Sequence, residues 1–221
     1  MVGYAGSDLN DEGGAVAIAP QFLGMGTAGM KLKDMVPSTE TGTSLRRKIQ
    51  IQLLTNLGKV ASLYRWEGSG GKTWIAEKST EDMGEVLIPE GQGLWVLNTA
   101  NCAVTFQTAG EVSQSDIIQP LNAEGGAVMV GNGFPVPVKL KDIVPSTETG
   151  TSLRRKIQIQ LLTKLGKVAT LYRWEGTGGK TWIAEKSTED MGEVEIPAGQ
   201  GMWVLNTANC AATLRIPAPE L

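Results

Sequence analysis

KIQIQLLT, residues 48–55, places Ile49, Ile51 and Leu53 on one side of an extended chain and Lys48, Gln50 and Gln52 on the other. A period of two is the signature of a strand with one buried face. The same eight residues return at 156–163. A helix competes for this stretch, because Leu45, Ile49, Leu53 and Leu57 also recur every four residues and Ser44 can cap a helix start. The β-branched alternation and the Gly58 that follows favour the strand.

Working outward, Asn56-Leu57-Gly58-Lys59 reads as a turn into residues 60–66, where Val60, Ser62, Tyr64 and Trp66 share a face. Glycines at 68, 70 and 71 turn the chain again into a strand with Trp74. A polar connection over 79–84 leads to EVLIP (85–89), a turn at 90–93, LWVLN (94–98) and a closing strand over 103–108. Short β-rich runs at a spacing of about ten residues indicate a sandwich or barrel.

This pattern occurs twice. Residues 31–102 return as 139–210, and only seven of the 72 positions differ: Met35/Ile143, Asn56/Lys164, Ser62/Thr170, Ser69/Thr177, Leu87/Glu195, Glu90/Ala198 and Leu94/Met202. The repeat continues upstream, with EGGAV at 12–16 and 124–128. The expected architecture is all-β: two tandem units, 1–108 and 109–221, each a small barrel or sandwich. They should pack closely and share a connecting strand around 105–112. The substitutions sort the positions. Leu87/Glu195 exchanges apolar for charged, so that side chain faces solvent and Val86 and Ile88 point inward. Met35/Ile143 and Leu94/Met202 keep volume and apolarity, as core positions do.

Composition narrows the chemistry. A net charge of -3 gives no reason to expect nucleic acid, and no apolar run is long enough for a membrane helix. The start, MVGYAGSDLNDEGG, has neither the basic nor the apolar region of a signal peptide. It fits a cytoplasmic chain or a mature exported one. There is no histidine, so Ser-His and Cys-His catalysis are excluded. Cys102 and Cys210 occupy the same repeat position; with no CxxC spacing, small buried residues are expected there, with neither metal site nor cofactor. A disulfide between them would require both to lie at a symmetry axis.

Several motifs invite a functional reading. GSGGKT (68–73) resembles a phosphate loop, but Trp66 stands where that loop needs glycine and a strand follows, so a hairpin turn is expected. Glu77, Glu81 and Asp82 lie in a polar connection, where carboxylates are ordinarily solvated. The triplets Arg46-Arg47-Lys48 and Arg154-Arg155-Lys156 can contact an anionic glycan or protect a strand edge. Of six tryptophans, Trp95 sits between Leu94 and Val96 and reads as buried. Trp66 and Trp74, with Trp174 and Trp182, flank the glycine turns and are the candidate ligand-binding residues, since indoles stack on sugar rings.

LYRWEGSGGKTW (63–74), IPEGQGLWVLNTANCAVTFQTAGEVS (88–113) and GGAVMVGNGFPVPVKLKDI (125–143) together resemble a group of uncharacterised exported, duplicated all-β proteins of gut bacteria. Those share a P-x-G-Q-G-φ-W-V-x-N turn and strand, a T-F-x-x-x-G-E-V closing strand and a V-G-N-x-F start to the next unit. The resemblance implies export and an all-β fold and transfers no activity. The expected function is therefore a non-enzymatic, secreted or surface-associated protein of structural or adhesive role. Its expected partners are a glycan or another surface protein, with oligomers possible. The alternative is a carbohydrate-binding module using the tryptophans beside the glycine turns.

Overall fold

The computed structural model describes residues 2–9, 13–54, 60–69, 72–123, 125–163, 168–176 and 178–220. The first half contains β1 (Val2–Leu9), β2 (Gly14–Ile18), β3 (Gly29–Lys31), β4 (Val36–Ser38), β5 (Ile49–Leu54), β6 (Val60–Ser69), β7 (Lys72–Ala76), β8 (Leu87–Pro89), β9 (Leu94–Asn98) and β10 (Val104–Glu111). The second half contains β11 (Ile117–Leu121), β12 (Gly126–Gly131), β13 (Val138–Lys139), β14 (Val144–Ser146), β15 (Ile157–Leu162), β16 (Val168–Trp174), β17 (Trp182–Ala184), β18 (Glu195–Ile196), β19 (Gly201–Asn206) and β20 (Ala212–Ile216). Helical structure among the described residues is confined to two 3₁₀ turns, Leu32–Asp34 and Leu140–Asp142. The chain is all-β.

Each half forms a five-stranded, a three-stranded and a two-stranded antiparallel sheet. The five-stranded sheets run β2-β9-β5-β6-β7 and β12-β19-β15-β16-β17. Their registers coincide, with Gln50 opposite Arg65 and Gln158 opposite Arg173, and a bulge follows Leu53 and Leu161 alike. Alternation decides what each face holds. Ile49 and Ile51 of β5 with Leu94 and Val96 of β9 point inward and are fully buried. Phe106 of β10, Met30 of β3 and Ile88 of β8 meet them in one core, spanning Leu9 to Val112. A second core spans Ile117 to Ile216. No sheet closes on itself among the described residues, so each half is a layered stack around its core, closer to a sandwich than to a barrel.

The competing helix does not form: residues 43–48 are irregular and 49–54 are strand. Arg47 takes a left-handed conformation (φ 58) just before β5, and its N–H donates to Trp66 O at 2.6 Å. The turn expected at 56–59 lies outside the described residues, as do Glu12, Glu124, Gly70, Gly71 and Thr177. The substitution pattern holds where it can be read: Leu87 is 42% exposed and Glu195 exposed, whereas Met35, Ile143, Leu94 and Met202 are fully buried. The strand expected to be shared between the units, β10, leads into the second half, but among the described residues it pairs with β1, with β4 and, at Glu111, with Leu23, all of its own half. Its sharing is one of chain continuity, because both edges of β10 are already occupied by strands of its own half.

The halves meet through the GQG turns that precede β9 and β19. Gly131 N donates to Gly91 O at 2.9 Å, and Ala19 N donates to Gly199 O at 2.8 Å, an exchange related by the repeat. Gln92 Nε2 reaches Met129 O at 3.2 Å and Gln200 Nε2 reaches Ala17 O at 3.3 Å. The approach is close enough to demand glycine. A Cβ on Gly201 would stand 2.7 Å from the Ala17 carbonyl carbon, and one on Gly93 would overlap the Met129 side chain. Asn132 is fully buried beside this junction; its Nδ2 donates to Val136 O at 2.9 Å and Pro197 O at 3.0 Å, and its Oδ1 accepts from Phe134 N at 3.2 Å. The P-x-G-Q-G and V-G-N-x-F motifs thus have local structural duties. Cys102 and Cys210 are free and half-buried, each beside a threonine hydroxyl.

Candidate functional site

The four tryptophans chosen from sequence divide into two kinds. Trp74 and Trp182 are fully buried, and their indole N–H groups donate to Met35 O at 3.1 Å and Ile143 O at 2.9 Å. They are core residues, and a ligand-stacking role for them is corrected here: β7 and β17 turn them onto the inner face, away from any surface. Trp66 and Trp174 are half-buried, packed edge-on against them with ring centroids 5.3 Å apart in each half. Gly68 and Gly176 take left-handed φ of 64° and 63° beneath these indoles; a Cβ on either would come within 2.6 Å of the ring nitrogen. The glycine stretch after Trp66 is a hairpin, with Ser69 opposite Lys72 and a strand on both sides, and offers no helix start for a phosphate.

The opposite face of each five-stranded sheet is built differently. Parity puts Trp95, Leu97, Gln50, Gln52, Leu63 and Arg65 on the side away from the core. Trp95 stands opposite Gln52, Leu97 opposite Gln50, and Gln50 opposite Arg65. The second half repeats the arrangement, with Trp203 opposite Gln160 and Gln158 opposite Arg173. Trp95 and Trp203 are half-buried and belong to neither core. The expectation that Trp95 is buried fails because Leu94 and Val96 take the two inward positions, which forces the indole out. Its outward parity is the signal that could have identified it, since Leu94/Met202 already marks the core side. None of the seven differences between copies falls on this face.

At the β6–β7 end the face opens into a cleft of about 540 Å³ lined by Arg47, Arg65, Ile75, Lys78, Ser79 and Thr80, with Glu77. The second half has a cleft of about 390 Å³ around Arg155, Ile183 and Thr188, the equivalent positions, together with Arg154, Glu175 and Lys180. Glu67 is clamped by Arg46 and Arg47, the latter through Nε at 3.1 Å. The Arg46 bond first, then Arg47, holds its carboxyl below the usual range against the effect of burial. Glu175 is held low in the same way by Arg155 and Arg154. Arg65 reaches Glu77 with one terminal nitrogen at 3.3 Å, and Arg173 reaches Glu185 at 3.6 Å. The Nε of both arginines is buried without a partner among the described residues. No grouping of His, Cys, Asp and Glu suited to a metal ion occurs among the described residues.

Elsewhere, two lysines share one carboxylate in each half. Lys31 and Lys33 flank Glu85, and Lys139 and Lys141 flank Glu193, lowering both carboxyls to about 2. A folded pKa below the unfolded value stabilises the fold above the unfolded pKa and loses that contribution as pH falls through the folded one. Stability is therefore expected to decline between pH 4.5 and 2. Because Glu85 and Glu193 side chains are 69% and 70% exposed, added salt should shrink their part of the decline. Acid titrations followed by circular dichroism at low and high salt, on the intact chain and on Glu85→Gln/Glu193→Gln, check this; identical acid profiles would refute it.

No family model, no curated protein and no solved structure matches the chain.

Proposed function

We propose that the protein is a non-enzymatic, secreted or surface-associated adhesive protein that binds carbohydrate, using the outer face of its two five-stranded sheets. The observation that carries this reading is the twofold construction of one face, Trp95–Gln52 with Gln50–Arg65 and Trp203–Gln160 with Gln158–Arg173. An indole offers a stacking plane for a sugar ring, and neighbouring amides both donate and accept hydrogen bonds to hydroxyls. Two such faces on one chain suit adhesion, because linked sites raise avidity without new contacts. Catalysis draws no support from the carboxylates. A general acid needs a raised pKa, and every resolved carboxyl shift among the described residues is downward, at Glu67, Glu85, Asp116, Glu175 and Glu193.

The test is retention on immobilised polysaccharides by affinity electrophoresis, with Trp95→Ala and Trp203→Ala singly and together. Each single variant is expected to weaken binding about three- to tenfold while leaving the melting temperature nearly unchanged, since neither ring packs in a core. Retention unaffected in the double variant, or lost instead with Trp66→Phe/Trp174→Phe, would overturn the assignment to this face.

A further inference from the structure

We propose that the arginine cleft at the end of each sheet face receives an acid group, carboxylate or sulfate, of an acidic polysaccharide whose neighbouring rings lie on that face. This inference rests on the carbohydrate reading above and adds the charge of the ligand.

Four observations converge on it. Arg47, Arg65 and Lys78 line the first cleft with one carboxylate, Glu77, a local cationic excess in a chain whose net charge is -3. Glu67 is already saturated by two guanidinium groups, so it does not neutralise Arg65. Arg65 and Arg173, at the same position of both halves, each have a buried Nε with no partner among the described residues. Guanidinium groups pair with planar or tetrahedral oxyanions through two parallel N–H donors, and Glu77 engages only one terminal nitrogen of Arg65, whose side chain is 33% exposed. Finally, Ser79 and Thr80 add hydroxyls, and Ile75 supplies an apolar floor only 4% exposed, as a sugar ring beside its acid group requires.

The geometry also favours a polysaccharide over an acidic peptide. Arg65 lies on β6 and Trp95 on β9, with β5 between, a separation across the sheet of roughly 10 Å. That span suits a disaccharide whose one ring stacks on the indole and whose acid group reaches the guanidinium. Gln50 and Gln52 lie between them to meet ring hydroxyls.

Polygalacturonate and dextran sulfate, with fully methyl-esterified polygalacturonate and poly-L-glutamate as controls, test the proposal by calorimetric titration of the intact chain. Binding of polygalacturonate identifies a carboxylate ligand and binding of dextran sulfate a sulfate one. For whichever binds, affinity should fall steeply with salt, and the ester and poly-L-glutamate should bind at least about tenfold more weakly. Arg65→Gln/Arg173→Gln should lose about ten- to a hundredfold in affinity for the acidic polymer and little for the ester. Lys78→Gln, at an exposed position, should lose less, and it tests the cleft independently should the arginine variants fold poorly. Equal binding of ester and acid, or unchanged affinity in the folded arginine and lysine variants, would overturn the acidic-ligand inference while leaving the carbohydrate reading standing. Poly-L-glutamate binding as tightly as the sugar acid would overturn it in favour of a peptide partner. If all four polymers and neutral glycans fail to bind, both readings fall.

Discussion

Trp74→Ala is expected to destabilise the protein by about 3–5 kcal/mol, the range for truncating a large buried aromatic. Trp74 is fully buried, edge-on to Trp66 at 5.3 Å and stacked on Phe106 with centroids 5.9 Å apart. Its removal leaves a cavity the surrounding sheets cannot easily close and strips Met35 O of its hydrogen bond. Trp74→Phe separates these effects, since it keeps most of the ring and loses the donor; about 1–3 kcal/mol is expected for the unpaired carbonyl. Urea unfolding followed by circular dichroism gives both numbers. Trp182→Ala removes the same indole from the second core, where Leu214 occupies the position of Phe106 and no stacked ring is lost. A change in Trp74→Ala within about 0.5 kcal/mol of zero would mean that the indole is a surface group after all.

Gly131→Ala should cost about 1–3 kcal/mol or more, through a steric clash between the halves. Gly131 and Ala19 occupy the same position of the repeat and abut one another, so the pseudo-two-fold relation between halves passes through them. A Cβ on Gly131 would overlap that of Ala19, pushing β12 away and breaking the exchange of Gly131 N to Gly91 O and Ala19 N to Gly199 O. Two alanines do not fit where one alanine and one glycine do. The reciprocal variant Ala19→Gly/Gly131→Ala should therefore recover most of the loss, a non-additivity diagnostic of direct contact. Thermal melts of the two single variants and the double settle it; additive effects would show that these positions do not touch. The same axis explains the free cysteines. Only positions on it meet their own copies, and 102 and 210 lie elsewhere.

Much of the fold was legible because alternation is a local property. KIQIQLLT specified a strand and its buried side, and Ile49 and Ile51 occupy that side. The substitutions between copies sorted Leu87 from Ile88 and marked Leu94 as core without any structure. The binding face was less legible, although its elements were present. Proximity to glycine turns points to Trp66 and Trp74, yet the pairing of β6 with β7 places both on the inner face. Trp95 reads as core because its neighbours are apolar, but a strand residue between two inward-facing neighbours must point the other way.

The sequence by itself determined the duplication, the all-β class and the inward side of the central strands, since each rests on identity or on a period of two within a single segment. Only the tertiary structure decided which tryptophans reach the surface, that Glu67 is spent on two arginines while Arg65 keeps a free Nε, and that Ala19 meets Gly131. The contacts among them join residues 20 to 112 positions apart. They follow from how sheets stack and how the halves approach, which no local pattern encodes.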